Sequence, residues 1–289
     1  MRTVGLVPHP DRPAAHELAA ATLAALSERG IEGRLPASLA TRAGLATHGV
    51  QDRDFAAGLD LVIGLGGDGT MLHAVHLVYP EPVPVLGVNA GRLGYLTSLD
   101  ADELLGMLDA VCTLDPIFVV AERMALIAEV VPPEGPTRHE FALNEAVLEK
   151  IESGHLVDIS VRLGGSRFAT FSADGVIVST PTGSTAYAFS VRGPIVSPEH
   201  RCLVVAPVAA HMLFDRTLVL GADETVQLEV GSRAVALALD GHPGGTLPPG
   251  TTVTCAAAAA PVRIVTRRDR PFHQILREKF SLPDPDRPT

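Results

Sequence analysis

The sequence predicts an α/β N-terminal domain built on a parallel sheet, followed by a β-rich C-terminal domain. Three observations predict it. Up to about residue 115, short apolar runs alternate with helical patterns. Those runs are apolar throughout, as strands buried on both faces of a parallel sheet are. From about Pro116 apolar runs recur every 8–12 residues or so, with Gly/Pro punctuation, the rhythm of a strand-rich domain. The expected division is 1–115, 116–266, and a C-terminal tail, 267–289, whose short helix is expected to pack back on the N-terminal domain.

In the first half, Thr3–Val7 is the first strand. Pro13 to Arg29 is an alanine-rich amphipathic helix, with Asp11 as cap and Gly30 as stop. Asp60–Leu65 is a buried strand ending at glycines, Thr70 to Tyr79 a helix, Val83–Val88 another inner strand and Asp102–Val111 a short helix. Residues 33–58, rich in Ala, Gly and Thr and weakly periodic, are expected to form a mobile loop. The expected strands of the second half are Met124–Val131, Phe141–Leu148, Val157–Leu163, Arg167–Phe171, Val176–Ser179, Leu203–Ala206, Thr217–Leu220, Thr225–Val230, Ala234–Leu239, Thr251–Ala256 and Val262–Thr266. A helical interval over Thr185–Arg192 breaks the series. Leu276–Phe280 reads as a last helix, and DPDRPT as a frayed tail.

Composition excludes several classes. With 289 residues, 46% apolar and 19% charged, the chain is globular rather than disordered. Its 23 basic against 33 acidic residues give a net charge of −10, which argues against coating nucleic acid but leaves room for a local phosphate pocket. No apolar run approaches the roughly 20 residues of a membrane span; Leu203–Phe214 comes nearest, and Pro207 and His211 interrupt it. MRTVGLVPHP carries no signal-peptide pattern, so the expectation is a cytoplasmic protein with neither nucleic-acid nor membrane partners. Cys112, Cys202 and Cys255 are odd in number and widely spaced, which suits neither a disulfide framework nor a cysteine zinc site. Neither lysine, Lys150 or Lys279, follows a glycine-rich loop, so a Walker-type P-loop is ruled out.

Chemistry concentrates in three places. The first is Gly64-Leu65-Gly66-Gly67-Asp68-Gly69-Thr70, between a buried strand and a helix. Glycines there let backbone N–H groups approach a phosphate, and a helix start favours an anion, which points to Gly66, Gly67, Gly69 and Thr70. A carboxylate beside a pyrophosphate is repelled unless it accepts a proton or meets a metal, so Asp68 makes the turn look catalytic. A tight turn capped by Asp68 is the bland alternative, and it leaves four glycines unexplained. A dehydrogenase fingerprint would follow the first strand and carry a later acid, which Val83–Leu99 lacks. The second place is Asn144-Glu145, a polar pair inside apolar runs that needs partners, structural or ligand. The third is Asp174-Gly175 followed by Ser179–Tyr187, STPTGSTAY, where hydroxyls and free N–H groups suit an adenosine or phosphate ligand and Tyr187 suits stacking on a base. Ser184 as a hydrolase nucleophile lacks the G-x-S-x-G elbow. His73 and His76 share a helix face but no third metal ligand is indicated, and Asp240-Gly241-His242 reads as a turn.

Gly66–Thr70 (GGDGT), Asn144-Glu145 and Thr180–Tyr187 (TPTGSTAY), in this order, resemble bacterial NAD kinases of the diacylglycerol-kinase-like superfamily. Asn89–Leu96 (NAGRLGYL), Gly193-Pro194-Ile195, Ala210-His211 with Leu218, and Asp240-Gly241 extend the likeness over nearly the whole chain from residue 60. GGDGT alone is shared with lipid kinases; its combination with TPTGSTAY is specific. The resemblance implies a Rossmann-like N-terminal domain and transfer of the γ-phosphate of ATP, in some members polyphosphate's, to the 2′-hydroxyl of the adenosine ribose of NAD. It implies magnesium or another divalent metal arriving with ATP, and a homodimer or homotetramer. On matching positions it makes Asp68 the general base and a substrate contact. It makes Gly69, His73, Asn144, Glu145, Asp174, Thr182, Thr185, Ala186, Tyr187 and Ser190 dinucleotide contacts, with Ala209 and His242 as further ones. Three positions depart from the pattern: Val191 stands where the family usually has a small residue, Arg192 where it usually has glycine, and His73 where it often has arginine. The departures at Arg192 and His73 motivate a rival reading as a non-catalytic dinucleotide sensor; a lipid-alcohol kinase and a dehydrogenase are the other rivals.

Overall fold

The computed structural model describes residues 1–91 and 94–283. Arg92 and Leu93, within the quoted segment Asn89–Leu96, and the six-residue DPDRPT tail lie outside the described residues. The chain forms two compact units: Met1–Glu122 together with the chain from Val262 onward, and Arg123–Pro261.

The first unit is built on an eight-stranded sheet. Across it run Gly49–Val50, Glu32–Pro36, Thr3–Pro8, Leu61–Gly66, Val85–Asn89, Val262–Arg267 and Phe118–Arg123, with Leu99–Asp100 also pairing with Val85–Asn89. The pairs from Gly49–Val50 through to Val262–Arg267 are parallel. Leu61–Gly66 and Val85–Asn89 are buried at every position, as strands covered on both faces must be. The helix Pro13–Glu28 buries Ala15, Ala19, Thr22, Leu23 and Leu26, one stripe of its surface. Arg12, not Asp11, occupies its cap position, and Pro13 supplies a first turn that lacks one N–H to satisfy. Gly30, at φ 67°, ends it: the N–H groups of Gly30 and Ile31 donate to the carbonyls of Ser27 and Leu26, each at 3.0 Å.

One expectation is overturned by the structure. Residues 33–58 are not a bare loop. Glu32–Pro36 pairs with the first strand, Ala37–Arg42 is a helix and Gly49–Val50 extends the sheet. Leu35, Ala40 and Phe55 are fully buried, irregularly spaced anchors that no helical or strand period reveals. Phe55 packs under Gly5, where an added Cβ would lie 2.6 Å from its ring. The compact units divide at 122/123 and 261/262, and the expected division lies at 115/116 and 266/267. Val262–Arg267 returns to the first sheet, where Ile264 and Val265 pair with Val85 and Leu86. A buried apolar strand reads the same in either sheet, so its destination was invisible.

The second unit is two six-stranded antiparallel sheets. One runs Leu218–Gly221, Cys202–Val208, Gly175–Ser179, Glu145–Lys150, Val235–Leu239 and His242–Leu247; the other runs Ser166–Ala173, Val157–Leu163, Val226–Val230, Thr252–Ala257, Leu126–Val131 and Arg138–Ala142. One core holds them together, with Ala146, Leu148, Val176 and Val178 from the first and Ile159, Phe171, Leu228 and Val253 from the second. Alternation sends Val147, Ile177 and Ala206 to the other face, where they pack with Ala188 of the short helix Tyr187–Ser190. The expected single run Phe141–Leu148 is broken at Leu143-Asn144. Among the described residues no helix is long and apolar enough to cross a membrane.

Candidate active site

In the first unit, the strand Leu61–Gly66 runs into Gly67, which caps the helix Asp68–Val78. Gly66 has no room for a side chain: a Cβ there would lie 2.1 Å from Thr70 Oγ1. Asp68 is therefore not the cap but the first helical residue, and its carboxylate reaches across to the segment after Val85–Asn89. Its Oδ2 accepts from the Tyr95 N–H and its Oδ1 from the Leu96 N–H, both at 2.9 Å. A Cβ on Gly94 would fall 2.1 Å from Asp68 Oδ1, so only glycine permits this approach. Two amides fix the carboxylate's orientation and leave each oxygen a second lone pair. Asn89 shapes the same segment, donating to Gly91 O and Asp100 Oδ1 and accepting from the Gly91 N–H. Lys279 Nζ stands 4.7 Å over the Tyr95 ring. Burial, and then the Asp68 charge, hold the Tyr95 phenol above its ordinary value. The Thr70 and Thr97 hydroxyls are buried without a hydrogen-bond partner. Gly69 is exposed, and His73 lies half-buried on the same helix.

In the second unit, Asp240 organises the Asn144-Glu145 pair. It stands in the left-handed region at φ 50°. Its carboxylate accepts the N–H groups of Leu143, Asn144 and Glu145 at 2.8, 2.7 and 3.2 Å. The carbonyl of Asn144 accepts from the Thr180 N–H at 2.8 Å and Ser179 Oγ at 3.1 Å, while Thr180 Oγ1 donates to Leu143 O at 2.6 Å. Gly183 closes over this junction, where a Cβ would meet Asn144 O at 2.3 Å. The sequence-distant motifs are thus one structure: TPTG, Asn144-Glu145 and Asp240 hold each other through backbone groups. Asp240 is the residue that sequence reasoning undervalued: it was legible as an acid before a turn glycine and as part of the family likeness, but not as the partner of Asn144-Glu145.

Glu145 is 6% exposed and its Oε2 has no hydrogen-bond partner. Burial, and then the Asp240 charge, push its carboxyl from 4.5 to about 8, with the Tyr187 amide pulling the other way. Thr182 Oγ1 is buried and equally unpartnered. Thr185 Oγ1 donates to Thr182 O, Ala186 is half-buried, and Tyr187 and Ser190 are exposed. Ser184 is no nucleophile: fully buried, its hydroxyl donates to Pro181 O at 2.7 Å and accepts the Val196 N–H at 3.0 Å. Asp174 lies apart from Glu145 along the strands, while its charge reaches the Tyr187 phenol. Gly175 pairs with Glu149 while Ser179 pairs with Glu145, which puts Asp174 at the far end of the two strands. There Lys150 Nζ meets its carboxylate at 2.5 Å, and Ala209, at φ 48°, follows the Val208 carbonyl that accepts its N–H. His242 is exposed opposite Leu239.

The family model for the ATP-NAD kinase N-terminal domain matches residues 4–115, and that for the ATP-NAD kinase C-terminal domain matches residues 143–267. An NAD kinase of Heliobacterium modesticaldum is 38% identical over 285 residues, spanning 97% of this chain and 99% of its own. The chain belongs to the NAD kinase family. It carries that family's enzyme activity, phosphorylation of NAD, which removes the lipid-kinase and dehydrogenase rivals. An NAD kinase of Thermobifida fusca is 37% identical, covering 98% of this chain and 90% of its own. Among solved structures, yeast NADH kinase complexed with NADH superposes with a TM-score of 0.91 at 24% identity, over 100% of this chain and 90% of that one. An NAD kinase from Archaeoglobus fulgidus in complex with ATP gives 0.73 at 21%, over 96% and 99%. These share the fold, and the expected pairing of a mostly parallel α/β domain with a β-rich domain is the NAD kinase architecture.

Proposed function

We propose that this member of the family transfers the γ-phosphoryl group of ATP to the 2′-hydroxyl of the adenosine ribose of NAD, with Asp68 as general base. The observation that carries the role of Asp68 is its held carboxylate: a strand of six buried residues, a helix start and two backbone amides converge on one acid, in turns where Gly66 and Gly94 admit no side chain. Such an acid accepts the hydroxyl proton as the oxygen attacks phosphorus, and it does so without moving. The N–H groups at the start of the helix Asp68–Val78, with Gly67 and Gly69 bare beside them, suit the phosphates. Magnesium enters as part of the donor, MgATP, where it offsets charge on the phosphoryl oxygens.

The dinucleotide contacts are proposed for Asn144, Glu145, Thr182, Thr185, Ala186, Tyr187 and Ser190, with Asp174, Ala209 and His242 contributing separately. The cluster at Asn144-Glu145 supports this, because it presents buried polar atoms with no partner of their own. His73 lies on the helix Asp68–Val78 and is proposed as a further contact to the dinucleotide. Cytoplasmic location, assembly as a homodimer or homotetramer and use of polyphosphate belong to the same reading.

The experiment is NADP formation from NAD and MgATP, read with an NADP-specific dehydrogenase, with Asp68→Asn alongside. The expected result is turnover by wild type and a loss of about 10²-fold or more in the variant, the usual scale for removing a general base, with NAD affinity retained. Full turnover by Asp68→Asn would remove Asp68 from the role. NADP formed with polyphosphate but not with MgATP would overturn ATP as the donor.

A further inference from the structure

We propose that Glu145 meets the dinucleotide as a neutral carboxylic acid and donates its proton in a hydrogen bond to an acceptor atom on the nucleoside. The inference rests on the reading of this cluster as the dinucleotide site and adds the protonation state that recognition requires. The geometry leads to it. Glu145 is the first residue of the strand Glu145–Lys150 and is 6% exposed. Its own N–H is spent on Asp240 Oδ1 and its own carbonyl on the Asp240 N–H. Its Oε2 is sealed from solvent and has no hydrogen-bond partner, though the Tyr187 amide acts on the carboxyl group. A buried ionised oxygen without a donor carries a full desolvation penalty, whereas a buried O–H can wait for an acceptor that the ligand brings.

Among the described residues, no positive charge acts on Glu145. Asp240, on the adjoining turn, is the charged group that faces Glu145, and its carboxylate is already held by three amides. The neighbouring strand contributes Ser179, and the turn that follows it Thr180 and Thr182, all of them neutral. From the helix Tyr187–Ser190 comes the Tyr187 amide; the Tyr187 phenol is itself pushed above 10 by burial, Glu149 and Asp174, and stays neutral. His242, two residues beyond Asp240, is exposed. Burial and the Asp240 charge set the proton's departure at about pH 8. Thr182 Oγ1, a second buried hydroxyl without a partner, lies on the segment that Gly183 locks against Asn144, so the cluster offers two hydrogen-bonding groups that wait on a ligand.

The consequence is an affinity that depends on the fraction of Glu145 protonated. The test is NAD binding to the full chain by titration calorimetry at pH 7 and pH 9, with Glu145→Gln in parallel. Wild-type Kd is expected to weaken about tenfold between the two values, because only the protonated fraction binds. Glutamine keeps a donor and an acceptor at every pH, so the ratio of its two Kd values falls to about one, whatever its absolute affinity. A flat or tightening wild-type Kd overturns the proposal; so does a variant that keeps the tenfold ratio, since another group would then be titrating. Should the variant fail to fold, infrared difference spectra of wild type at pH 7 decide: the protonated carboxyl band must be present in the free protein and shift when NAD binds, and its absence overturns the proposal. Failure of wild type to bind NAD at either pH would instead strike the dinucleotide reading itself.

Discussion

At the scale of single residues, two side chains run against what their positions favour. Arg192 stands at φ 64°, just past the helix Tyr187–Ser190. Its N–H donates to Phe189 O and that of Gly193 to Ala188 O, so it fills the left-handed position after a helix where glycine is the usual occupant. The departure from the family's glycine therefore has a conformational cost, and the exposed Arg192 side chain has no packing to offset it. Arg192→Gly is expected to raise stability by roughly 1 kcal/mol, read as a higher denaturation midpoint at unchanged slope; a lower midpoint would mean the guanidinium makes an unrecognised contact. Glu145 runs against its surroundings in another way. Its folded-state value lies above its ordinary 4.5, at about 8. The stability it contributes is therefore fully present below about pH 4.5 and is lost as pH rises through 8. Wild type should melt at progressively lower temperature from pH 6 to pH 9, and Glu145→Gln should show a shallower decline. Parallel declines would place the titrating group elsewhere.

At the scale of elements, the turns matter more than the strands they join. The glycine turn and the segment after Val85–Asn89 act as one device, since Gly94 lets the Tyr95 and Leu96 amides reach Asp68. Gly94→Ala drives a methyl into the carboxylate, displacing either the acid or its amides. A misplacement of about 1 Å costs on the order of 10²-fold in rate. NADP formation is expected to fall by about that factor while NAD binding persists; normal turnover would show that the hold on Asp68 is dispensable. Element existence was legible wherever apolar runs were bounded by Gly or Pro, and Val157–Leu163 comes out residue for residue. What stayed hidden had a physical reason. His242–Leu247 carries Pro243, Gly244 and Gly245 at a sheet edge, beside a register shift, and so looks like a turn. The break at Leu143-Asn144 is made by the Asp240 carboxylate, a residue nearly a hundred positions away. GGDGT was legible as a candidate site because its composition exceeds what a turn needs. The clamp at Asp240 was not, because no local pattern announces a long-range partner.

At the scale of the whole molecule, the second unit is an insertion in the first. The chain leaves the first sheet at Phe118–Arg123 and re-enters it at Val262–Arg267, and these two strands are neighbours there. The ends of the inserted stretch are neighbours too: Leu126 pairs with Ala257, and the Ala258 N–H donates to Ala125 O at 2.9 Å. An insertion whose ends meet can be removed without stretching either side. The two units then differ in what they need. Residues 123–261 are contiguous and carry both antiparallel sheets with their core, so this stretch alone is expected to fold cooperatively, with a β-rich circular dichroism spectrum. Residues 1–122 alone lack Val262–Arg267, which lines the inner strand Val85–Asn89 and buries Ile264 and Val265 almost completely. Each such side chain contributes about 1.5–3 kcal/mol against a total stability on the order of 5–15 kcal/mol, and the exposed edge of a buried parallel strand invites aggregation. The 1–122 fragment is therefore expected to be insoluble or molten. A chain joining residue 122 to residue 262 by a short Gly/Ser bridge should restore a cooperative melt. A folded, monomeric 1–122 fragment would show that the returning strand decorates the sheet rather than completes it.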